Sequence, residues 1–180
     1  MITFAHETLA KMSRSEKIYI AEIAGHALGG GLEIAMACDF RYAAAGKYRF
    51  GLPEVSLGIQ PGNGGTQRLT ALIGAARALE LMTLDLRFTP DEALAVGLIN
   101  RIFSEDELHQ KTLEIATTLR DSATLAVGKI KRSVYDGFYP AMAAGLALER
   151  QNIGNLFESA DAKEGFQAFG ERRKPKFAGK

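Results

Sequence analysis

Three consecutive glycines, Gly29-Gly30-Gly31, separate a run with β character (Ile18, Ile20, Ile23) from a run with helical character (Leu32 to Cys38). A strand-to-helix junction without side chains lets backbone N–H groups come close to a ligand. It also presents the N-terminus of a helix, whose unpaired N–H donors and partial positive charge favour an anion. Two carboxylates can flank the same spot: Glu33, and Glu54 in the pair Pro53-Glu54. Donors for a developing oxyanion beside paired carboxylates suit proton chemistry next to a carbonyl. Each part alone has a plainer reading. The triplet can serve tight packing of a helix on a strand, Glu33 can complement the helix dipole, and Glu54 can cap a turn.

The rest of the chain permits that chemistry without pointing elsewhere. At 180 residues and 47% hydrophobic content it can bury a core as one soluble unit. A net charge of +1 gives no general attraction to nucleic acid or membrane. The single cysteine, Cys38, lies in an apolar run and reads as a buried thiol, not a nucleophile. His26 reads as structural, while His6 and His109 fall on helix surfaces by pattern. No spaced His/Cys/Asp cluster suggests a metal. No apolar run reaches the roughly 18 residues of a spanning helix. Met1 to Met12 lacks a signal-peptide layout. The expectation is a cytoplasmic protein with no membrane partner.

Hydrophobic periodicity predicts a helix over 2–12, a strand over 17–24, a fully buried helix over 32–38 and a strand over 40–43. Residues 47–65, rich in Gly and Pro, read as a long and therefore functional loop. Helices follow over 65–73 and 75–84. Thr89-Pro90-Asp91-Glu92 signals a capped helix ending at Gly97. A strand over 98–103 precedes a helix capped by Ser104, with Leu108, Thr112, Ile115 and Leu119 on its apolar face. Two helices over 123–135 and 140–157, a last helix over 161–169 and a basic tail complete the chain. Strands in front and helices behind suit an α/β core with a helical C-terminal part.

Longer stretches carry a family resemblance. Ile20 to Asp39, with Gly29-Gly30-Gly31-Leu32-Glu33 at its centre, and Phe50 to Leu69, with Pro53-Glu54 and Pro61-Gly62-Asn63-Gly64-Gly65, resemble the enoyl-CoA hydratase/isomerase (crotonase) superfamily. So do Asp161, Glu164-Gly165, Ala168-Phe169 and Arg172 to Phe177. The resemblance implies a spiral of ββα units over 1–120 and a helical region over 121–180 that forms trimers, often paired into hexamers. It implies an acyl-CoA thioester as substrate and no separate cofactor, coenzyme A being part of the substrate. By the same resemblance, Gly30 donates its N–H to the thioester oxygen, while Glu33 and Glu54 activate water and move the protons. Gly29 and Gly62 line the substrate site; for Gly62 a simple turn role stays open. Phe169 and Arg172 match positions that cover the CoA of a neighbouring subunit, with a solvated basic tail as the plainer alternative.

Both glutamates are present, which favours hydration over isomerisation. Two departures stand against the family pattern. The chain begins after the Ala-x-x-x-Gly-x-Asp motif, whose backbone supplies a second oxyanion donor; losing such a donor costs on the order of 10²–10³ in rate. A usual Thr-Gly near Leu84-Asp85 is also missing. The readings that follow are an enoyl-CoA hydratase, an isomerase, a truncated non-catalytic subunit that oligomerises, or a normal enzyme read from too late a start. Lys129, Lys131 and Arg132 are the only candidates for nucleic-acid binding and read better as a solvated face, so no such partner is expected.

Overall fold

The computed structural model describes residues 2–178. After helix α1 (Ile2–Arg14), strand β1 (Ile20–Ile23) is followed by a second, two-residue strand β2 (Ala27–Leu28) and helix α2 (Gly30–Ala37). The pattern then recurs. Strand β3 (Phe40–Ala44) and the two-residue β4 (Phe50–Gly51) lead into a 3₁₀ turn, Pro53–Leu57, and the helices α3 (Gly65–Ile73), α4 (Ala75–Thr83) and α5 (Pro90–Ala95). Strand β5 (Arg101–Phe103) and helix α6 (Glu105–Arg120) begin a third turn. The chain ends in α7 (Thr124–Glu158) and α8 (Ala160–Gly170).

Each of the first two turns contributes one strand to each of two parallel sheets. One has the order β1-β3-β5, and the other pairs β2 with β4. This is the ββα spiral expected from the resemblance. Parallel strands need crossovers, and α2 and the α3–α5 segment supply them. The main core lies between the sheets and these helices, around Leu32, Phe50, Leu52, Leu69, Leu81 and Leu98. A smaller cluster of Tyr42, Ala44 and Leu108 seats α6 on the other face.

The short strands are hidden in what reads as loop. Two residues are too few to show a period of two; β2 and β4 exist because the neighbouring turn of the spiral offers each a partner. Conversely, the two expected helices over 123–135 and 140–157 are one continuous helix of 35 residues. It packs against α1, α3, α6 and α8. Helix α2 is not buried all round: Ile34 is 55% exposed. The capping box at Thr89 and Glu92 is formed, with Glu92 N–H donating to Thr89 Oγ1 and Thr89 N–H to Glu92 Oε2. Ser104 does not cap α6 with its side chain; its hydroxyl donates to Glu107 instead. Asp85, where the family pattern has glycine nearby, takes a left-handed φ of 49° and accepts from Ser56 and Arg87. Among the described residues no helix is long and apolar enough to cross a membrane.

The tail closes on the front of the molecule. Gly165 of α8 lies against the Leu57 backbone, so α8 packs directly on the 3₁₀ turn. Of the basic cluster on α7, Lys129 lies on a solvated face as expected and Arg132 is half-buried, whereas Lys131 departs from that expectation. Lys131 is buried, donating to Met12 O, Lys17 O and Asp39 Oδ2 at 2.7–2.8 Å. Lys129 pairs with Glu16 and Arg132 with Asp136. Lys131 is therefore committed to internal contacts, while Lys129 and Arg132 make ion pairs at the surface. Lys131→Met should destabilise the fold by roughly 3–5 kcal/mol, because it strands a buried Asp39 carboxylate. Lys129→Ala, at an exposed pair, should cost less than about 1 kcal/mol. Urea unfolding midpoints compare the two, and equal midpoints would refute this account of Lys131.

Candidate active site

The β2–β4 ladder sets the site. Ala27 pairs with Phe50 and Leu28 with Gly51 in parallel, and the Gly29 N–H donates to Gly51 O at 2.9 Å. Both strands then end. The first runs into the N-terminus of α2 and the second into the 3₁₀ turn. Glycines 29 and 30 are thereby brought beside Glu54, which lies more than twenty positions later in the chain. Gly29 has φ 53°, and a Cβ built there would sit 3.0 Å from Glu54 Oε1. Both facts exclude an ordinary side chain. No side chain caps α2, so its first-turn amides, Gly30 among them, have no intrahelical acceptor.

Glu33 projects from the same helix turn and is buried, yet it is well supplied with donors. The Asn63 N–H and Gly65 N–H reach its Oε1 at 2.7 and 2.8 Å, and Asn63 Nδ2 reaches Oε2 at 2.9 Å. A Cβ on residue 65 would lie 2.7 Å from Glu33 Oε1, which is why glycine stands there. Burial pushes Glu33 above the ordinary carboxylate range, and the three donors work against that rise. An ionised carboxylate has about four acceptor positions. Three are taken, and the remaining one is on Oε2.

Glu54 is the opposite case. Its Oε2 is buried with no hydrogen-bond partner among the described residues. Burial raises its pKa to about 7, its own backbone N–H pulls the other way, and the nearby charges of Glu33, Asp85 and Glu149 add to the rise. Two carboxyl groups thus share one place. One accepts three hydrogen bonds and keeps a single free acceptor position; the other is poised to carry a proton near neutral pH. Interacting groups of this kind titrate as a pair.

These groups open onto a cavity of about 520 Å³. Gly30, Glu33, Glu54, Gly62 and Asn63 form its polar end, and Ile59, Ile153 and Phe157 part of its apolar wall. Of the residues expected to contact substrate, Gly30, Glu33, Glu54 and Gly62 meet there, and Gly29 backs Glu54. Phe169 and Arg172, expected over the coenzyme A of a neighbouring subunit, do not line this cavity. Phe169 is 75% exposed at the end of α8, and Arg172 follows it outside the cavity. His26 accepts from the Arg49 N–H. Cys38 is buried and donates to Ile34 O. His109 lies on an exposed helix face beside Glu22, whereas His6, expected on a surface, is buried against Glu149. That placement follows from α7, which covers the α1 face carrying His6.

Sequence reasoning passes over Asn63, Glu149 and Arg150. Glu149 has a signal available. Leu146, Glu149 and Ile153 recur at helical spacing on one buried face of α7, and a glutamate on such a face needs partners.

Comparison with known proteins agrees with this fold. The enoyl-CoA hydratase/isomerase family model matches residues 4–180. A short-chain-enoyl-CoA hydratase of Clostridium acetobutylicum is 40% identical over 169 residues, which are 94% of this chain and 64% of that protein. A crotonyl-CoA hydratase of Syntrophomonas wolfei is 41% identical over 92% of this chain and 63% of its own length. The chain thus spans less than two thirds of either relative. Among solved structures, an enoyl-CoA hydratase from Mycobacterium avium subsp. paratuberculosis superposes with a TM-score of 0.93 at 27% identity, over 98% of this chain and 72% of that one. A carnitinyl-CoA hydratase from Mycobacterium avium gives 0.87 at 34% identity, over 95% and 67%. With its spiral fold and its glutamates on one cavity, the chain belongs to the enoyl-CoA hydratase/isomerase family.

Proposed function

We propose that this chain carries the catalytic centre of an enoyl-CoA hydratase, a lyase that adds water across the double bond of a 2-enoyl-CoA thioester. The observation that carries the reading is the meeting of two unlike carboxyl groups, Glu33 and Glu54, beside the uncapped N-terminus of α2. The thioester oxygen is placed at the Gly30 N–H, where the helix dipole and the free donor favour the enolate charge of the transition state. The free Oε2 position of Glu33 orients the water. As its oxygen bonds to C3, its proton passes to a carboxylate. Glu54, protonated in part near neutral pH, delivers a proton to C2. One proton is taken and one given, so the pair returns to its starting charge after a proton exchange between its members.

The apolar wall of Ile59, Ile153 and Phe157 supports an acyl chain as the occupant. Exposed Leu125, Ile130 and Val134 on α7 support assembly with further copies, as in the trimers and hexamers that the resemblance implies.

The test is turnover of crotonyl-CoA, followed by loss of the enoyl thioester absorbance. Glu54→Gln should lower kcat by about 10²–10⁴ while leaving circular dichroism unchanged. A variant as fast as the parent would sink the reading.

The same substitution has a stability consequence of defined sign. Glu54 has a pKa of about 7 in the fold against an ordinary 4.5. Between those values the folded state binds more protons than the unfolded one, so the parent chain loses stability as pH rises through that window. A carboxamide at this position has no proton to lose. Glu54→Gln should therefore be more stable than the parent at pH 8, by roughly 3 kcal/mol, with the gap closing by about pH 4.5. Thermal midpoints across that range measure it. A gap that stays constant with pH would exclude the raised pKa as its cause.

A further inference from the structure

The loop after Pro61 is gripped from two sides, and only one grip belongs to the cavity. Four successive amides alternate between two buried carboxylates. Asn63 and Gly65 donate to Glu33. Gly64 donates to Glu149 Oε1 at 2.6 Å and Thr66 to Glu149 Oε2 at 3.0 Å, with the Thr66 hydroxyl donating to the same oxygen. Gly65 and Thr66 open helix α3, whose N-cap, Gly64, has no side-chain cap. Carboxylates from α2 and α7 therefore do together what a capping residue would do.

Glu149 is itself held. Its side chain is fully buried, and His6 Nε2 lies 3.0 Å from Oε1. Arg150 Nη1 lies 3.0 Å from the other ring nitrogen, Nδ1. A guanidinium only donates, so Nδ1 accepts and the ring proton sits on Nε2, aimed at Glu149. Burial and the Arg150 charge keep His6 below its ordinary range, in keeping with a neutral ring.

We propose that Glu149, supported by His6, is a positioning residue for the hydration reaction: it fixes the Gly64 and Thr66 amides so that those of Asn63 and Gly65 stay on Glu33. The inference rests on the hydratase reading given above. Without an acceptor on the α7 side, two buried amides would lack partners and the loop would turn to satisfy them. Glu33 would then lose its donors. Glu149 reaches the chemistry only through this loop and through its charge; it does not line the cavity.

The experiment compares the parent chain with Glu149→Gln and Thr66→Val. Glutamine keeps the size but turns an NH₂ toward a set of donors; valine removes one hydroxyl and keeps the shape. Three readouts are taken: kcat and KM for crotonyl-CoA, amide exchange at residues 63–66, and the carboxyl titration of Glu54 by NMR. Glu54 is faced by Glu33 on α2, Asp85 after α4 and Glu149 on α7, and Glu149 by His6 on α1 and Arg68 on α3. Removing the Glu149 charge should move the Glu54 midpoint to lower pH. In Glu149→Gln, kcat should fall about 10- to 100-fold with KM within about twofold, and the Asn63 and Gly65 amides should lose protection. Thr66→Val should show a smaller fall of the same kind. Lower stability with unchanged kcat and an unmoved Glu54 midpoint would make Glu149 a structural residue only and overturn the proposal. Should Glu149→Gln not fold, an unchanged kcat in Thr66→Val overturns it. An inactive parent chain defeats the hydratase reading instead; the proposal is then decided by residue 63–66 exchange and the Glu54 titration, where no change in Glu149→Gln overturns it.

Discussion

Two pairs of residues, Ala27 with Phe50 and Leu28 with Gly51, align everything the site uses. Because the pairing is parallel, both strands end at the same edge, and each is followed by a different device. One is a helix with a bare N-terminus; the other is a tight turn carrying a carboxylate. A shift by one residue would turn Phe50 out of the core and move Glu54 away from Gly29. The larger sheet, the α3–α5 crossover and the α8 contact with the turn all act to hold that short ladder in register. A two-stranded pairing of this length has no stability of its own.

Burying acids is the second theme, and the structure handles it in three ways. Glu33 and Glu149 are held by backbone amides and polar side chains, which compensate their burial in part. Asp39 is matched by a buried cation, Lys131. Glu54 has only its own backbone N–H acting against its burial and no paired cation, and its Oε2 stays without a partner among the described residues. That imbalance costs stability and is the same property that lets the group carry a proton near neutral pH. The arrangement places the energetic cost at the cavity that Glu33 and Glu54 share.

Much of the architecture can be read from residue patterns. The helices α3, α5 and α8 lie close to where caps and apolar spacing put them, since those signals are local, as with Thr89 and Glu92 or Gly74 between two apolar faces. The two-residue strands leave no signal, because their existence depends on a partner from another turn of the spiral. A related reason hides the burial of Lys131 and His6. A polar residue on a helix is placed outside by default, and only the packing of α7 across α1 and β1 shows that both face inward against specific acceptors. Of the site, Gly30, Glu33 and Glu54 are legible through the glycine triplet and the Pro-Glu pair. Asn63 and Glu149 are not, as they act on a loop whose course is set by contacts far apart in sequence.

By itself the sequence determined the chemical inventory: a glycine junction that can expose helix amides, two glutamates in suitable places, and enough apolar periodicity to bury them. These are properties of the covalent chain and of its local conformational preferences. Only the tertiary structure decided how those groups differ. Glu33 and Glu54 are the same amino acid, with the same ordinary pKa. The loop amides that surround one, and the burial without partners that surrounds the other, come from segments brought together by the spiral. The division of two glutamates into a donor-rich member and a donor-poor member with a raised pKa is therefore a product of long-range packing, because desolvation and hydrogen bonding are set by neighbours in space.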